Sequence, residues 1–232
     1  MKLDINILIQ YLDRLKVLEK SILNFAEDGI NCVGTSPSTI AACDATLNKV
    51  AITGYEPIGE VGVDDINLLV KKLSRFNGNV DLNVNENKFL EIRSSNKTLI
   101  AILPDISLFK KEDKKPNLEY PGFITVPVDI IKEAIKDAEV LNVDEIKFEL
   151  NDNSLDLISE NSEDKYVVSH KLTSSNEPVS VRMPLDYLRT IFENISEQVS
   201  VGIKNDYPLF IEFKNNMFNL KYYLAPKISD KK

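Results

Sequence analysis

Four stretches of the chain place apolar side chains at the i, i+3, i+4, i+7 spacing of an amphipathic helix. Leu8, Tyr11, Leu12, Leu15 and Leu18 mark the first; Ile66, Leu69, Val70 and Leu73 mark the second. Ile131, Ala134, Ile135 and Ala138 mark the third, and Leu185, Leu188, Ile191, Phe192 and Ile195 the fourth. Behind each helix the period falls to two. The runs 22–47, 80–103, 146–172 and 199–224 therefore predict short alternating strands. Polar turns break them at Glu27-Asp28-Gly29, Asn85-Glu86-Asn87, Asn151-Asp152-Asn153 and Asn205-Asp206.

The helices are expected to begin near residues 7, 64, 127 and 184, a spacing of 57 to 63 residues that signals internal duplication. The repeating unit is one helix followed by a three-stranded antiparallel meander. Two such units make a domain and two domains make the chain, an α+β fold. The expected boundaries are 1–107 and 121–232. Between them, residues 108–120 are charged and aperiodic, and read as an exposed linker. An ordinary α+β protein with helices on one sheet face would share this periodicity.

Composition narrows the function classes. The chain has 232 residues, 43% hydrophobic and 28% charged, enough to bury a substantial core. No apolar run approaches the roughly 20 residues of a membrane span, and no charged-then-apolar leader opens the chain, so an intracellular protein is expected. Two cysteines and one histidine, His170, support neither a disulfide framework nor a metal cluster nor a multi-histidine catalytic site. The chain lacks a P-loop, a Gly-rich dinucleotide turn and Cys/His metal spacing. Glu160 and Glu163-Asp164 fall in turn-like segments and read as solvated loops. No catalytic residue, metal or cofactor is assigned. The net charge of -8 means that any contact with nucleic acid must be local, weak or made by shape.

The C-terminal stretch is the most specific. Asp206-Tyr-Pro-Leu209 opens two strands that end on the apolar hook Tyr222-Tyr223-Leu224-Ala225-Pro226, running on to Ile228. This pattern resembles the C-terminus of DNA polymerase sliding clamps of the proliferating cell nuclear antigen (PCNA) family. The segment from Phe25 to Ile40 resembles that family's first hairpin, and Pro116-Asn-Leu-Glu-Tyr120 resembles the end of its interdomain linker.

The resemblance implies a trimeric ring around duplex DNA, with helices on the inner face and antiparallel sheets outside. It implies a clamp loader that opens the ring, and polymerase and repair enzymes tethered through PIP-box-like peptides. Another clamp-fold duty is the alternative: a subunit of a heterotrimeric, checkpoint or transcription accessory ring. The archaeal or viral style of the chain implies a cytoplasmic, nucleoid-associated protein if archaeal, and a nuclear or virus-replication site otherwise.

On this resemblance, Arg14, Lys71, Lys72, Arg75, Lys132, Lys136 and Arg189 face the DNA from the helix faces opposite the apolar stripes. Asn67, Ser74, Asp129, Glu133, Asp186 and Glu193 share those faces, with Gln10 and Asp13 on the first helix. A solvated helix face with mixed charges is the other reading. Thr35, Ile40, Phe109, Leu118, Pro208, Tyr223, Ala225 and Pro226 are implied as the partner-peptide pocket. Leu99, Ala101 and Leu103 would meet Val167, Ser169 and Lys171 of a neighbouring subunit, with His170 at the surface or interface. A tight hairpin at Ser36-Pro37-Ser38-Thr39 sets Thr35 opposite Ile40 and Cys32 opposite Cys43. Ile30, Cys32, Cys43, Ala45 and Leu47 then share one face, and Val33, Thr35, Ile40 and Ala42 the other. A cross-strand disulfide is conceivable, though reduced thiols suit an intracellular protein better.

Three features depart from the family pattern. The first strand is short or missing, Ser36 stands where an acidic residue is usual, and Asp113 and Lys115 stand where apolar side chains are common.

Overall fold

Four copies of one unit, a strand, a helix and three strands, account for the order of elements along the chain. The computed structural model describes residues 1–85, 88–109, 118–173 and 177–227. Glu86, Asn87, Asp113, Lys115, Pro116 and Ile228, named above, lie outside the described residues. The chain divides into two compact units: Met1–Lys115 with Lys214–Leu220, and Pro116–Phe213 with Lys221–Lys232.

The first unit runs β1 (Lys2–Asp4), α1 (Ile5–Arg14), β2 (Ser21–Ala26), β3 (Gly29–Thr35), β4 (Ala41–Asn48), β5 (Gly59–Val63), α2 (Ile66–Leu73), β6 (Asn79–Asn85), β7 (Phe89–Arg93) and β8 (Thr98–Ile102). The strand that leads each repeat pairs with the other repeat. Thus β1 pairs with β6, Leu3 opposite Val80, and β5 pairs with β2, Val61 opposite Leu23. The resulting antiparallel orders are β5-β2-β3-β4 and β1-β6-β7-β8. The repeats are interlocked, and neither completes its sheet alone.

The second half of the chain repeats the plan with β9 (Ile124–Pro127), α3 (Val128–Val140), β10 (Glu145–Leu150), β11 (Ser154–Glu160), β12 (Lys165–Lys171), β13 (Val179–Pro184), α4 (Leu185–Phe192), β14 (Gln198–Gly202), β15 (Leu209–Lys214) and β16 (Phe218–Leu224), all in the second unit except Lys214–Leu220. Here β13 completes the order β12-β11-β10-β13, and β9 pairs with β14, Val126 opposite Val199. The periodicity reading missed these leading strands because they are short, β1 having 3 residues and β9 having 4.

Helix starts differ between the units. Asp4 and Asp65 cap α1 and α2, their carboxylates accepting from the Asn6 and Leu68 amides at 2.9 and 2.7 Å. Pro127 and Pro184 stand at the same place before α3 and α4, with Asp129 and Asp186 in the first turns facing the positive helix end. Each helix buries the stripe that its spacing predicted. Tyr11 on α1 is fully buried, and its hydroxyl donates to the Ile30 carbonyl at 2.9 Å.

The hairpin between β3 and β4 corrects the expected register. Thr35 lies opposite Ala42, Cys32 opposite Ala45, and Cys43 opposite Gly34. The loop is two residues longer because Ser36 closes it. Its amide donates to the Ala41 carbonyl at 2.7 Å, its Oγ accepts from the Ala41 amide at 3.1 Å, and Thr39 turns the chain at φ 60°. A slip of two residues keeps every side chain on its face, where a slip of one would invert them. Ile30, Cys32, Cys43, Ala45 and Leu47 are accordingly buried, while Val33, Thr35, Ile40 and Ala42 are half-buried. The two cysteines are free thiols and do not oppose one another. Burial pushes Cys32 up to about 12 and Cys43 well above the usual thiol range, so neither is a ready nucleophile.

Candidate functional site

The solvent-facing sides of the helices carry the cations singled out from sequence, with one correction. Arg14 is 7% exposed, and its guanidinium lies 4.3 Å from the centre of the Phe218 side-chain ring. The cause is already in the spacing: 11, 14, 15 and 18 form one i, i+3, i+4, i+7 stripe, so Arg14 belongs to the buried face of its helix. Lys71, Lys72 and Arg75 are exposed on and just beyond the end of α2, opposite buried Ile66, Leu69, Val70 and Leu73. In the second unit Arg189 is held by Glu139 at 2.7 Å and Asp186 at 3.3 Å, and Lys132 donates to the Glu193 carbonyl at 3.3 Å. Lys136 is exposed.

The residues suggested for peptide binding belong to both units. In the first, Thr35 and Phe109 line a cavity of about 480 Å³ that also includes Lys20, Cys32 and Glu60; Ile40 is not part of its lining. Phe109 rests on β5 where Gly62 has no side chain. A Cβ built there would meet the Phe109 ring at 2.6 Å and the Pro104 carbonyl at 3.0 Å. Any larger residue at 62 displaces the ring.

In the second unit, half-buried Tyr223 packs on Phe210 at 5.3 Å between ring centroids. Phe210 in turn contacts Tyr120 and Phe123, and Tyr207 stands edge-on to Tyr120 at 5.5 Å. Such offset and edge geometries are the favourable ones for aromatic side chains. The Tyr120 hydroxyl donates to the Pro208 carbonyl at 2.9 Å, tying a residue next to Leu118 to the strand pair that carries Tyr223. Gly202 makes this possible, since a Cβ there would meet both the Tyr120 and Phe123 rings at 3.0 Å.

The hook that follows Tyr223 is fixed at its far end. The Lys227 amide donates to the Arg182 carbonyl at 2.9 Å, and its ammonium pairs with Asp144 at 2.5 Å, which holds that carboxyl below the usual range. Ala225 and Pro226 lie half-buried between these anchors, as does Pro208 on the preceding loop. This is an apolar, proline-edged surface with no nucleophile at its centre. Among the described residues, no group of three or more His, Cys, Asp or Glu side chains could hold a metal ion. Sequence reasoning missed Tyr120, Phe123, Tyr207 and Phe210. Tyr207 and Phe210 lie close to Gly202 in sequence, but Tyr120 and Phe123 lie far before it, so no local signal joins the four.

Two strands end their sheets with exposed apolar side chains. On β8, Ile100 and Ile102 are 63% and 81% exposed, whereas Ala101 and Leu103, two of the suggested contact residues, point into the core. Leu99 is half-buried. On β12, Val167 is 48% exposed, Ser169 and Lys171 are exposed, and His170 is half-buried opposite Leu155. No helix is long and apolar enough to cross a membrane among the described residues.

No protein-family model matches the chain. It is 28% identical over 224 residues, 91% of each chain, to a DNA polymerase sliding clamp of Methanocella arvoryzae. A DNA polymerase sliding clamp of Pyrococcus horikoshii is 25% identical over 230 residues, covering 93% of this chain and 92% of that one. Among solved structures, A. fulgidus PCNA with the C-terminal region of FEN-1 bound superposes with a TM-score of 0.88 at 19% identity, covering 99% of this chain and 98% of that one. PCNA from Entamoeba histolytica gives 0.85 at 20% identity, over 98% of each. Both likenesses cover 98% or more of this chain. Over nine-tenths of its length the chain is thus similar to DNA polymerase sliding clamps, and it has the α+β clamp fold of the PCNA structures.

Proposed function

We propose that three copies of this chain close into a ring around duplex DNA, slide along it, and tether a DNA polymerase and other replication and repair proteins. The protein catalyses no reaction in this role, and it works where the DNA is: in the nucleoid-associated cytoplasm if the host is archaeal, in the nucleus or at a virus-replication site otherwise. A loader would open the ring at one of its subunit contacts. The observation that carries the ring is the pair of sheet ends, β8 and β12, each with exposed apolar side chains and, among the described residues, an unpaired strand side. Open strand edges of this kind invite another strand, and closure by symmetry removes them. Ile100 and Ile102 would then contribute beside the suggested Leu99, Ala101 and Leu103, against Val167, Ser169 and Lys171 of the next copy.

Partner peptides would contact Thr35, Ile40 and Phe109 of the first unit and Leu118, Pro208, Tyr223, Ala225 and Pro226 of the second. An aromatic and proline surface of this kind suits a short helical turn with aliphatic and aromatic anchors. We also assign 1–107 and 121–232 as the two clamp domains, with 108–120 as their connection.

Light scattering on a sizing column tests the ring. Three 26.2 kDa chains give about 79 kDa. A trimer retained on nicked circular duplex, and released when that circle is cut, is the expected result. A stable monomer that is not retained on circles even with a loader overturns the reading.

A further inference from the structure

The two units present helix faces of opposite charge. In the first unit α1 shows neutral Asn6 and Gln10, and its Asp13 is neutralised by Lys16 at 2.6 Å. Then α2 runs from Asp65, consumed as an amide cap, to the exposed stripe Leu68, Lys71, Lys72 and Arg75. That stripe follows i, i+3, i+4, i+7 and so projects from one side. Among the described residues, none of its three cations makes an ion pair or a side-chain hydrogen bond. They extend over the negative end of the helix, a placement that the helix field favours.

The second unit is the reverse. Asp129, Glu133, Asp137 and Glu139 on α3, with Asp186 and Glu193 on and after α4, set six carboxylates against three cations, Lys132, Lys136 and Arg189. Arg189 is engaged by two of those carboxylates and Lys132 by a backbone carbonyl. Lys136 alone remains without a side-chain partner among the described residues.

Resting on the sliding-clamp reading, we infer that the DNA backbone is gripped by the first unit alone, through Lys71, Lys72 and Arg75, and that the α3–α4 face repels phosphate. Each phosphate neutralised by a protein cation releases counterions, which makes affinity fall with salt; a cation already held by a carboxylate releases few. The duplex therefore tracks one unit of each subunit. The acidic α3–α4 face keeps that contact weak enough for movement.

Fluorescence anisotropy of a dye-labelled linear duplex over a salt series tests this on the full chain. Substituting Lys71, Lys72 and Arg75 together by Ala lowers the log–log salt slope by about 2 to 3, at about 0.9 per phosphate contact. Substituting Lys132, Lys136 and Arg189 by Ala lowers it by less than about 1 on the same scale. The conservative set Lys71→Arg, Lys72→Arg and Arg75→Lys keeps the slope, and all variants keep the oligomer mass. Glu133→Gln with Asp129→Asn tightens binding at low salt. Equal loss in the two alanine triples, with wild type binding normally, overturns the one-sided grip and leaves the clamp reading intact. No binding by the wild-type protein to the linear duplex at low salt overturns the grip and leaves the clamp reading, which retention on the circular duplex tests separately.

Discussion

Gly62 on β5 and Gly202 on β14 do the same job in different surroundings. Each leaves room for an aromatic ring to lie directly on a strand. At Gly62 the ring is Phe109 alone, half-buried, on a strand that ends its sheet. At Gly202 the rings are Tyr120 and Phe123, locked by Tyr207, Phe210 and a hydroxyl bond to Pro208, on a strand paired on both sides. The closer clash is at Gly62, 2.6 Å against 3.0 Å, yet the tighter site is Gly202. What decides the cost of a methyl group is whether the neighbour can leave, more than how near it stands.

The sharpest test is Gly202→Ala. Neither Tyr120 nor Phe123 can move without disturbing at least two other rings, so the variant is expected to lose about 2 to 3 kcal/mol, the upper range for overpacking a filled site. Urea unfolding measures it, with the m-value checked for constancy. A loss below that of the first-unit variant breaks the comparison.

Gly62→Ala comes next, at about 1 kcal/mol, because Phe109 can swing toward solvent and the end strand can yield. Most of that cost is the displaced ring at 2.6 Å, and the Pro104 carbonyl at 3.0 Å, which cannot swing, adds the smaller part. A double-mutant cycle with Phe109→Ala separates the two terms. Removing the ring should make Gly62→Ala nearly free, giving a coupling of about 0.5 to 1 kcal/mol. An additive cycle would mean that the backbone carbonyl, and not the ring, sets the cost.

Much of this architecture was legible in the sequence, and the failures have physical causes. Helix starts near 7, 64, 127 and 184 became 5, 66, 128 and 185, because a stripe of buried residues constrains a helix strongly. The leading strands were invisible: three to six residues leave too few alternations to count, and their partners lie in the other repeat. The faces of the β3–β4 hairpin were legible while its register was not, since alternation fixes parity but Ser36 decides loop length. Arg14 was misjudged by chemistry. Its charge suggested solvent, while its position on the Tyr11–Leu18 stripe put it over Phe218. The hook at Tyr223–Pro226 was readable as a pattern, but the ring stack behind it draws on residues nearly ninety apart in sequence, which no local spacing reports.

The smallest expected effect extends the comparison to two phenols. Tyr55 in the first unit donates to the Ala26 and Gly29 carbonyls at 2.9 and 2.7 Å, and Tyr120 in the second to Pro208. Burial raises both, Tyr55 to about 12 with help from Asp28 and Glu27, and Tyr120 further, with Tyr207 and Tyr223 beside it. The unfolded phenol releases its proton near about 10. Both groups are therefore neutral in the fold where they are charged in the unfolded chain. The stability they contribute is complete below about pH 10 and declines as pH rises through the folded values, because the unfolded state there binds fewer protons. Tyr120→Phe is expected to cost about 1 kcal/mol at neutral pH, the worth of one hydrogen bond, and to flatten the alkaline decline. Tyr55→Phe should flatten it only up to about pH 12, where its folded phenol ionises too. Unfolding midpoints across the alkaline range separate them. A decline as steep in Tyr120→Phe as in wild type would mean that the phenol ionises freely in the fold, and that the second unit's aromatic stack is open to water.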